Sequence, residues 1–274
     1  LMEITHVIRG EDHVSNTPKQ ILIYHALGFK VPIFAHLPMI LGEDKKRLSK
    51  RHGAAGVNEY ESMGYQPDAL LNYLALLGWN PGTEEEIFDL GSLVKNFDIR
   101  KVQKKSATYD QKKFNWISSQ HLMKEDSDKV LNRLASIDPR WSESRSQDYL
   151  IKIIDLMKPR SNSLTDLIDQ SRYFFSSPKE FDSAQLQKIW KQDTAEIIIE
   201  LKSVLGAINS WVAIELESNF KSFTDQKGFG IGKVMKPMRF LICGSLQGPS
   251  LFDLMELIGK EESLKRINYA INEF

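Results

Sequence analysis

A dense run of cations, Lys45–Arg51, is the first feature of this chain that could carry chemistry. Five of its seven residues are Lys or Arg, and Ser49 and the nearby Gly53 supply a small side chain and backbone freedom. Cations on such a loop could close over a polyanion and stabilise negative charge as it builds on a leaving group. A solvated charged loop or a nucleic-acid patch has the same composition, and for the run alone the solvated loop is the simpler interpretation.

A second polar cluster, Arg9–His13, follows a predicted strand and precedes a predicted helix. Ligands of parallel α/β sheets bind beyond the carboxyl ends of the strands, which is where this cluster is expected. Arg9 could fork onto a carboxylate or a phosphate. Asp12 could accept a hydrogen bond from a hydroxyl, and His13 could stack on a base or donate. Taken alone, the cluster is explained as simply by a polar turn with a local Arg–carboxylate pair.

The residues around the two clusters predict one parallel βαβ unit. Ile4–Ile8 predicts a strand, Asn16–Pro18 starts a helix that ends at Gly28, and Phe34–Leu41 predicts a second strand. The order strand, helix, strand is typical of a parallel pair. Few other strand candidates exist, so we expect a piece of a larger domain that is mobile or exposes an apolar face.

From Val57 onward the apolar residues follow helical spacing. The longest predicted helix runs from about Asp193 to Phe220, and Asp193 with Glu196 resembles a capping box. Aromatic residues at helical spacing are usually core, as is a cysteine in an apolar helix. We interpret the following residues in this way: Trp116, Trp141, Trp190, Trp211 and Cys243.

Composition excludes several classes of protein. The 274 residues contain 36 Lys+Arg and 36 Asp+Glu, which disfavours a strongly basic, whole-surface nucleic-acid binder, so any polyanion site must come from local clustering. The single cysteine excludes an internal disulfide and a Cys-based metal site, and we predict no metal ligands. A reduced, cytoplasmic compartment is the simplest expectation. No apolar run approaches the roughly 20 residues that cross a bilayer, so no membrane partner is expected.

Taken together, the two clusters belong to an ordered set of motifs. The set comprises Arg9–His13, Asn16–Pro18, His36–Pro38, Arg47–Arg51, Ala69–Trp79, Lys113–Trp116 and the ending Gly244-Ser245 with Pro249–Phe252. In this order and spacing it resembles the C-terminal half to two-thirds of a bacterial glutamyl-tRNA synthetase, a class I aminoacyl-tRNA synthetase. The resemblance covers essentially the whole chain.

The resemblance implies an activity for the parent protein, that of a glutamate–tRNA ligase. Such enzymes join glutamate to ATP, with Mg²⁺, to give glutamyl-adenylate and pyrophosphate, and then pass the glutamyl group to the terminal ribose of tRNA. Arg47–Arg51 resembles the family's Lys-Met-Ser-Lys-Ser signature loop, in which Lys50 would neutralise charge on the ATP phosphates and Ser49 would lie beside them. Arg47 stands where the first signature lysine is usual, which keeps the charge and changes the geometry.

The same resemblance implies roles for residues near the first strand. Arg9 would approach the glutamate substrate. Asp12 and His13 would border the ATP and the 3′ end of the tRNA. Met39 and Ile40 would lie beside the adenine, mostly through backbone atoms.

The helical remainder resembles the part of the family that contacts the tRNA stem and then grips the anticodon. A basic stretch with Lys101, Lys104 and Lys105 could bind phosphates in a salt-dependent way. Arg160 matches the family position where an arginine meets the anticodon bases. Lys233 frames a glycine loop and could meet phosphates. A helix-ending surface cation at Arg160 and a solvated loop at Lys233 stay open as alternatives.

One departure from the family matters. The other family signature, a His-x-Gly-His type tetrapeptide near the start of the nucleotide fold, is absent. We therefore predict that this chain alone binds tRNA, holds no ATP or Mg²⁺, and does not aminoacylate. The expected fold is mainly α, with a short α/β start followed by all-helical stem-contact and anticodon-binding domains. The expected divisions are 1–42 and 43–125, with helical anticodon-binding domains at 126–180 and 181–274.

Three alternatives to this prediction are disfavoured. Short synthetase-like enzymes that modify a tRNA base lack the anticodon part altogether, whereas this chain is predicted to have it. The synthetase for glutamine shares much of the catalytic half, but its anticodon part is built of β-barrels, which the helical spacing after Asp126 disfavours. A non-catalytic RNA-binding or scaffold module is the alternative of another class, and the signature loop beside a strand end argues against it. A monomer is the family expectation, and the tRNA partner accepts glutamate, with glutamine tRNA left open.

Overall fold

The computed structural model describes residues 2–49, 56–143 and 145–273. Two compact units divide the chain, Leu1–Lys124 and Glu125–Phe274. Both are dominated by helices, and the short strands are all in the first unit, which confirms the predicted fold class. Within the described part of the chain, no helix is both long and apolar enough to cross a membrane. The finer division into four domains stays a prediction.

The first unit opens with the predicted βαβ order. Strand β1 (His6–Gly10) pairs in parallel with β2 (Ile33–Leu37), and helix α1 (Thr17–Ala26) connects them. The predicted second strand is divided, because its last two residues form a separate strand, β3 (Ile40–Leu41). The division falls at Pro38, which has no backbone N–H to donate to a ladder. Strand β3 pairs with β4 (Ala107–Thr108) instead.

The βαβ unit is thinly covered. Among the described residues of β1 and α1, none has a buried side chain. Ile8, Leu22, Ile23 and Ile33 are each more than half exposed. This agrees with the expectation that the first 42 residues expose an apolar face. Their mobility stays a prediction.

Four further α-helices lie in the part of the first unit that the structure describes. They are α2 (Val57–Ser62), α3 (Pro67–Leu76), α4 (Leu90–Asn96) and α5 (Gln111–Lys124). Phe114 on α5 is fully buried, and its ring lies 4.6–5.3 Å from the rings of Tyr60, Tyr65 and Tyr73. Trp116 is 44% exposed, so its interpretation as core is wrong. Helical spacing shows which residues share a face of a helix, but it does not show which face is buried. The α5 face that carries Trp116 is not the face that packs on α3.

A buried amide joins α3, α5 and the segment before α4. Asn72 on α3 is fully buried; its Nδ2 donates to the Glu86 carbonyl at 3.1 Å, and its Oδ1 accepts from the Phe88 N–H at 2.8 Å. The Nε2 of His121 lies 2.9 Å from the same oxygen and must donate, because a carbonyl oxygen only accepts. Burial lowers the pKa of His121, which favours the neutral ring.

Replacing Asn72 with leucine is expected to destabilise the first unit by about 2–4 kcal/mol, because the buried Phe88 N–H and Glu86 carbonyl would lose their partners. Urea unfolding followed by circular dichroism measures this. Asn96→Ala is the matched control, since the Asn96 amide bonds to the Ser92 carbonyl at an exposed site. Equal midpoints for the two variants would contradict the role of Asn72.

The second unit contains ten helices along its described residues. They are α6 (Ser127–Ile137), α7 (Pro139–Ser142), α8 (Gln147–Met157), α9 (Leu164–Gln170), α10 (Ser183–Ile189), α11 (Thr194–Gly206), α12 (Ala213–Lys227), α13 (Gly232–Cys243), α14 (Leu251–Ile258) and α15 (Lys260–Glu273). Trp141 and Cys243 are buried as predicted, whereas Trp190 and Trp211 are half-buried.

The prediction of one long helix from Asp193 to Phe220 is wrong. Helix α11 ends at Gly206, and α12 begins at Ala213. The linker contains Asn209 and Ser210, residues that favour turns over helix interiors. The proposed capping box is absent as well, because the Asp193 side chain pairs with Lys233 rather than capping α11.

Candidate functional sites

Arg9 is the centre of a polar cluster at the end of β1. Its Nη2 donates to Thr17 Oγ1 at 2.8 Å and to the His13 carbonyl at 3.4 Å, and its Nε lies 3.3 Å from His36 Nε2. Thr17 begins α1, and His36 is the register partner of Arg9 on β2. Its guanidinium carbon also lies 5.2 Å from the ring centre of Phe34. Three motifs that are separate in sequence therefore meet around one guanidinium.

The residues beside Arg9 reach toward the turn after β2. Glu11 Oε1 accepts from the Met39 N–H at 2.9 Å, and the Ile40 carbonyl accepts from the Leu48 N–H at 2.9 Å. These bonds occupy part of the backbone that was predicted to meet adenine, so an adenine contact through the Met39 N–H would have to displace Glu11. His13 is exposed, with Nδ1 3.5 Å from Asn16 Nδ2.

The first half of the predicted signature loop folds back on β3. The Gly42 N–H donates to the Lys46 carbonyl at 2.8 Å, and Leu41 and Arg47 form an antiparallel bridge. Arg47 Nη2 lies 3.6 Å from Asp12 Oδ2. This ion pair joins the loop to the polar cluster around Arg9 at the end of β1, called the strand-end cluster below. Ser49 is half-buried. Lys50, the residue predicted to act on the phosphates, lies outside the described residues.

The Arg47–Asp12 pair is exposed, with 71% of the Arg47 side chain and 34% of the Asp12 side chain open to solvent. An exposed pair contributes little to stability, about 0–1 kcal/mol. A polyanion can therefore compete for Arg47 at small energetic cost. The loop itself is anchored at Leu48, which packs against the core of Tyr60, Tyr73 and Phe114.

The basic stretch of the first unit lies on its surface. Lys101, Lys104 and Lys105 are all exposed, and Lys101 Nζ donates to the Pro81 carbonyl at 2.9 Å. Lys113, in the next helix, pairs with Glu86. The first three cations are placed where a phosphate backbone could reach them, whereas Lys113 already has a carboxylate partner.

In the second unit, Arg160 is exposed at the end of a short 3₁₀ turn that follows α8. Its charge acts on Tyr173: burial raises the pKa of Tyr173, and the positive charges of Arg239 and Arg160 oppose that rise. Tyr173 lines a pocket of about 450 Å³ between the segments 169–178 and 243–248. Arg160, the residue predicted to contact the anticodon, therefore lies close enough to this pocket for its charge to act on Tyr173.

Arg239 is a residue of this pocket region that sequence reasoning missed. Its Nη1 donates to the Pro249 carbonyl at 2.6 Å, and a Cβ at Gly248 would lie 3.0 Å from that nitrogen. Gly248 therefore leaves room beside Arg239 and the Tyr173 hydroxyl. An arginine within the apolar run Met238–Cys243 was the available signal.

Lys233 lies in the first turn of α13 and is held locally. Its Nζ pairs with Asp193 Oδ2 at 2.5 Å and lies 5.0 Å from the centre of the Phe229 ring. Lys227, on the other side of the glycine loop, pairs with Glu200. A phosphate contact by Lys233 would have to compete with Asp193, and the predicted role stays a prediction.

Two family models match the chain. One describes the catalytic domain of class I tRNA synthetases (E and Q) and matches residues 1–116; the other describes an anticodon binding domain and matches residues 131–271. The polar cluster around Arg9 and the predicted signature loop fall in the first match, and Arg160, Arg239 and the pocket fall in the second.

Named relatives agree with these matches. The glutamate–tRNA ligase of Syntrophobacter fumaroxidans is 40% identical over 272 residues, which cover 98% of this chain and 58% of the relative. That of Moorella thermoacetica is 38% identical over 278 residues and is covered over 56% of its length. A crystal structure of a glutamate tRNA ligase from Elizabethkingia meningosepticum in complex with its amino acid superposes with a TM-score of 0.83 at 35% identity, covering 99% of this chain and 57% of that one.

This chain therefore spans somewhat more than half the length of the relatives it matches. The resemblance stated from the ordered motifs is confirmed along nearly the whole chain, from the residues of the first strand to the last helix. The chain belongs to the glutamate–tRNA ligase family of class I aminoacyl-tRNA synthetases.

Proposed function

We propose that this chain is the tRNA-binding portion of a glutamate–tRNA ligase, which attaches glutamate to tRNA through glutamyl-adenylate. The observation that carries the proposal is the match of an anticodon binding domain to residues 131–271, together with exposed cations on the surfaces of both units. Lys101, Lys104 and Lys105 would contact phosphates, and Arg160 would contact an anticodon base beside the Tyr173 pocket. Lys233 would join them once Asp193 is displaced.

The strand-end cluster supports a role in holding the amino acid and the nucleotide. The Arg9 guanidinium is oriented by Thr17 and His36, and its Nη1, which takes part in none of the bonds described above, could donate to the carboxylate of glutamate. Asp12 and His13 would border the ATP and the tRNA end, with Met39 and Ile40 beside the adenine.

The loop would supply charge to the phosphates. Because the Arg47–Asp12 pair is exposed, phosphates can draw Arg47 from Asp12 and bring the loop over the nucleotide. Lys50 and Ser49 would follow on the same loop, with Lys50 neutralising charge that develops on the departing pyrophosphate. These residues bind and neutralise; they move no proton.

ATP and Mg²⁺ belong to this proposal for the complete enzyme. Across residues 2–49, 56–143 and 145–273 no group of three or more His, Cys, Asp or Glu side chains could hold a metal ion. In the complete enzyme the ion would bind through the substrate phosphates and water, as Mg²⁺ commonly does.

The chain alone is expected to bind glutamate tRNA selectively and to form no adenylate. Filter binding across a salt series, with an unrelated tRNA and glutamine tRNA as further arms, measures affinity and the number of phosphate contacts. An adenylation assay runs beside it, and sedimentation tests the expected monomer.

Each result bears on a different part of the proposal. Binding that is equal for all tRNAs and vanishes at modest salt would show that the chain binds RNA only through non-specific electrostatic attraction. Adenylate formation would show that the chain is catalytically complete. Equal affinity for glutamate and glutamine tRNAs would extend the partner to both.

A further inference from the structure

A buried arginine connects the two walls of the Tyr173 pocket. Arg266 on α15 is 3% exposed. Its Nη1 donates to the Tyr173 carbonyl at 2.7 Å and to the Ile242 carbonyl at 2.9 Å. Tyr173 belongs to one wall, and Ile242 directly precedes Cys243 in the other wall. One nitrogen therefore fixes the separation of two chain segments that are far apart in sequence.

A carboxylate completes this arrangement. Arg266 Nε donates to Glu262 Oε1 at 2.8 Å, and the same oxygen accepts from the Ser177 hydroxyl at 2.6 Å. Arg266 and Ser177 hold the pKa of Glu262 below its usual value, against the opposing effect of burial. Ser177 lies in the same wall as Tyr173. The guanidinium is planar and its donors are fixed in a fork, so it sets both distance and angle.

We propose that Arg266 is a positioning residue that holds the pocket at the width needed to select an anticodon base. It rests on the proposed function, in which Arg160 contacts that base beside this pocket. Arg266 itself is too deeply buried to meet a phosphate, so it acts through the positions of Tyr173 and of the segment that begins at Cys243. Its effect therefore falls on selectivity and leaves the electrostatic part of tRNA binding unchanged.

Cys243, the single cysteine of the chain, lines the pocket, so the reactivity of its thiol measures how often the pocket walls separate. Burial raises the pKa of Cys243 to about 12, so its reaction with a disulfide reagent such as DTNB is slow while the surrounding side chains stay packed. We expect Arg266→Gln to speed this reaction by about tenfold or more, because two buried carbonyls lose their shared donor and the walls separate more often. This effect has to exceed the opposing effect of losing the Arg266 charge, since that charge lowers the pKa of Cys243. Arg266→Lys keeps the charge and should give an intermediate rate.

Ile267→Val is the matched control, because Ile267 is the next residue of α15, is fully buried, and does not line this pocket. It lowers stability without touching the two carbonyls. A thiol rate for Arg266→Gln within about twofold of this control would overturn the positioning role, since general loosening would then explain the rate. If Arg266→Gln does not fold, Arg266→Lys decides by the same comparison.

The second measurement is the ratio of affinities for glutamate tRNA and for the same tRNA with a substituted anticodon. Arg266→Gln should reduce this ratio by about tenfold and leave the salt dependence unchanged, because no phosphate contact is lost. A faster thiol reaction with an unchanged ratio would overturn the link between pocket width and base selection. If the unmodified chain binds no tRNA, the proposed function fails, while the thiol comparison still decides whether Arg266 positions the pocket.

Discussion

Replacing Phe114 with alanine is expected to lower the free energy of unfolding of the first unit by about 3–5 kcal/mol, because a fully buried ring is removed from well-packed surroundings. Three tyrosine rings contact it, and Leu48 of the signature loop packs against the same core. The cavity would therefore loosen both the helices and the anchor of the loop. Urea unfolding followed by circular dichroism measures the stability change.

Trp116→Ala is the control for this prediction. It removes a larger side chain from the same helix, α5, but Trp116 is 44% exposed and should cost about 1 kcal/mol or less. A loss for Trp116→Ala as large as that for Phe114→Ala would show that size, and not burial, decides the effect.

Replacing Arg160 with alanine is expected to weaken binding of glutamate tRNA by about tenfold or more, which is the usual effect of losing a base-reading arginine. Binding of a tRNA with a substituted anticodon should change little, so the selectivity falls. The salt dependence should stay constant if Arg160 meets a base and should become shallower if it meets a phosphate. Filter binding of both tRNAs across a salt series separates the two contacts.

Arg140→Ala supplies the comparison, since Arg140 is another exposed arginine of the second unit, close to Asp138. We expect its affinity to stay within about twofold of the unmodified chain, because an exposed cation that already pairs with a carboxylate and does not line the pocket adds little. If Arg140→Ala and Arg160→Ala lose equal affinity, Arg160 is an ordinary surface cation.

Sequence patterns predicted the βαβ order and the helical class because local spacing and the residues that start and stop elements carry that information. The parallel register of His6 with Ile33 follows from such an order. The helix from Asp193 to Phe220 was mispredicted because steps of three and four continue across a linker that the chain uses to turn. Spacing alone does not register a break of this kind.

The candidate sites were predictable to a different degree. Ordered motifs predicted roles for Arg9, Arg47 and Arg160, and these roles stay predictions. The contacts of Arg239 and Arg266 were not predictable, because both depend on carbonyls brought close by tertiary packing. The same holds for Asp193, which local pattern assigned to a cap and which tertiary structure pairs with Lys233.

Leu48 packs against the buried core of the first unit, and Arg47 directly precedes it in the chain. Consecutive Cα atoms are about 3.8 Å apart, so the Arg47 backbone can lie no farther than that from the anchored residue. A cation on so short a tether has a local concentration near a phosphate that is set by chain length and not by diffusion. The packing of Leu48 is therefore itself a determinant of how strongly Arg47 can act.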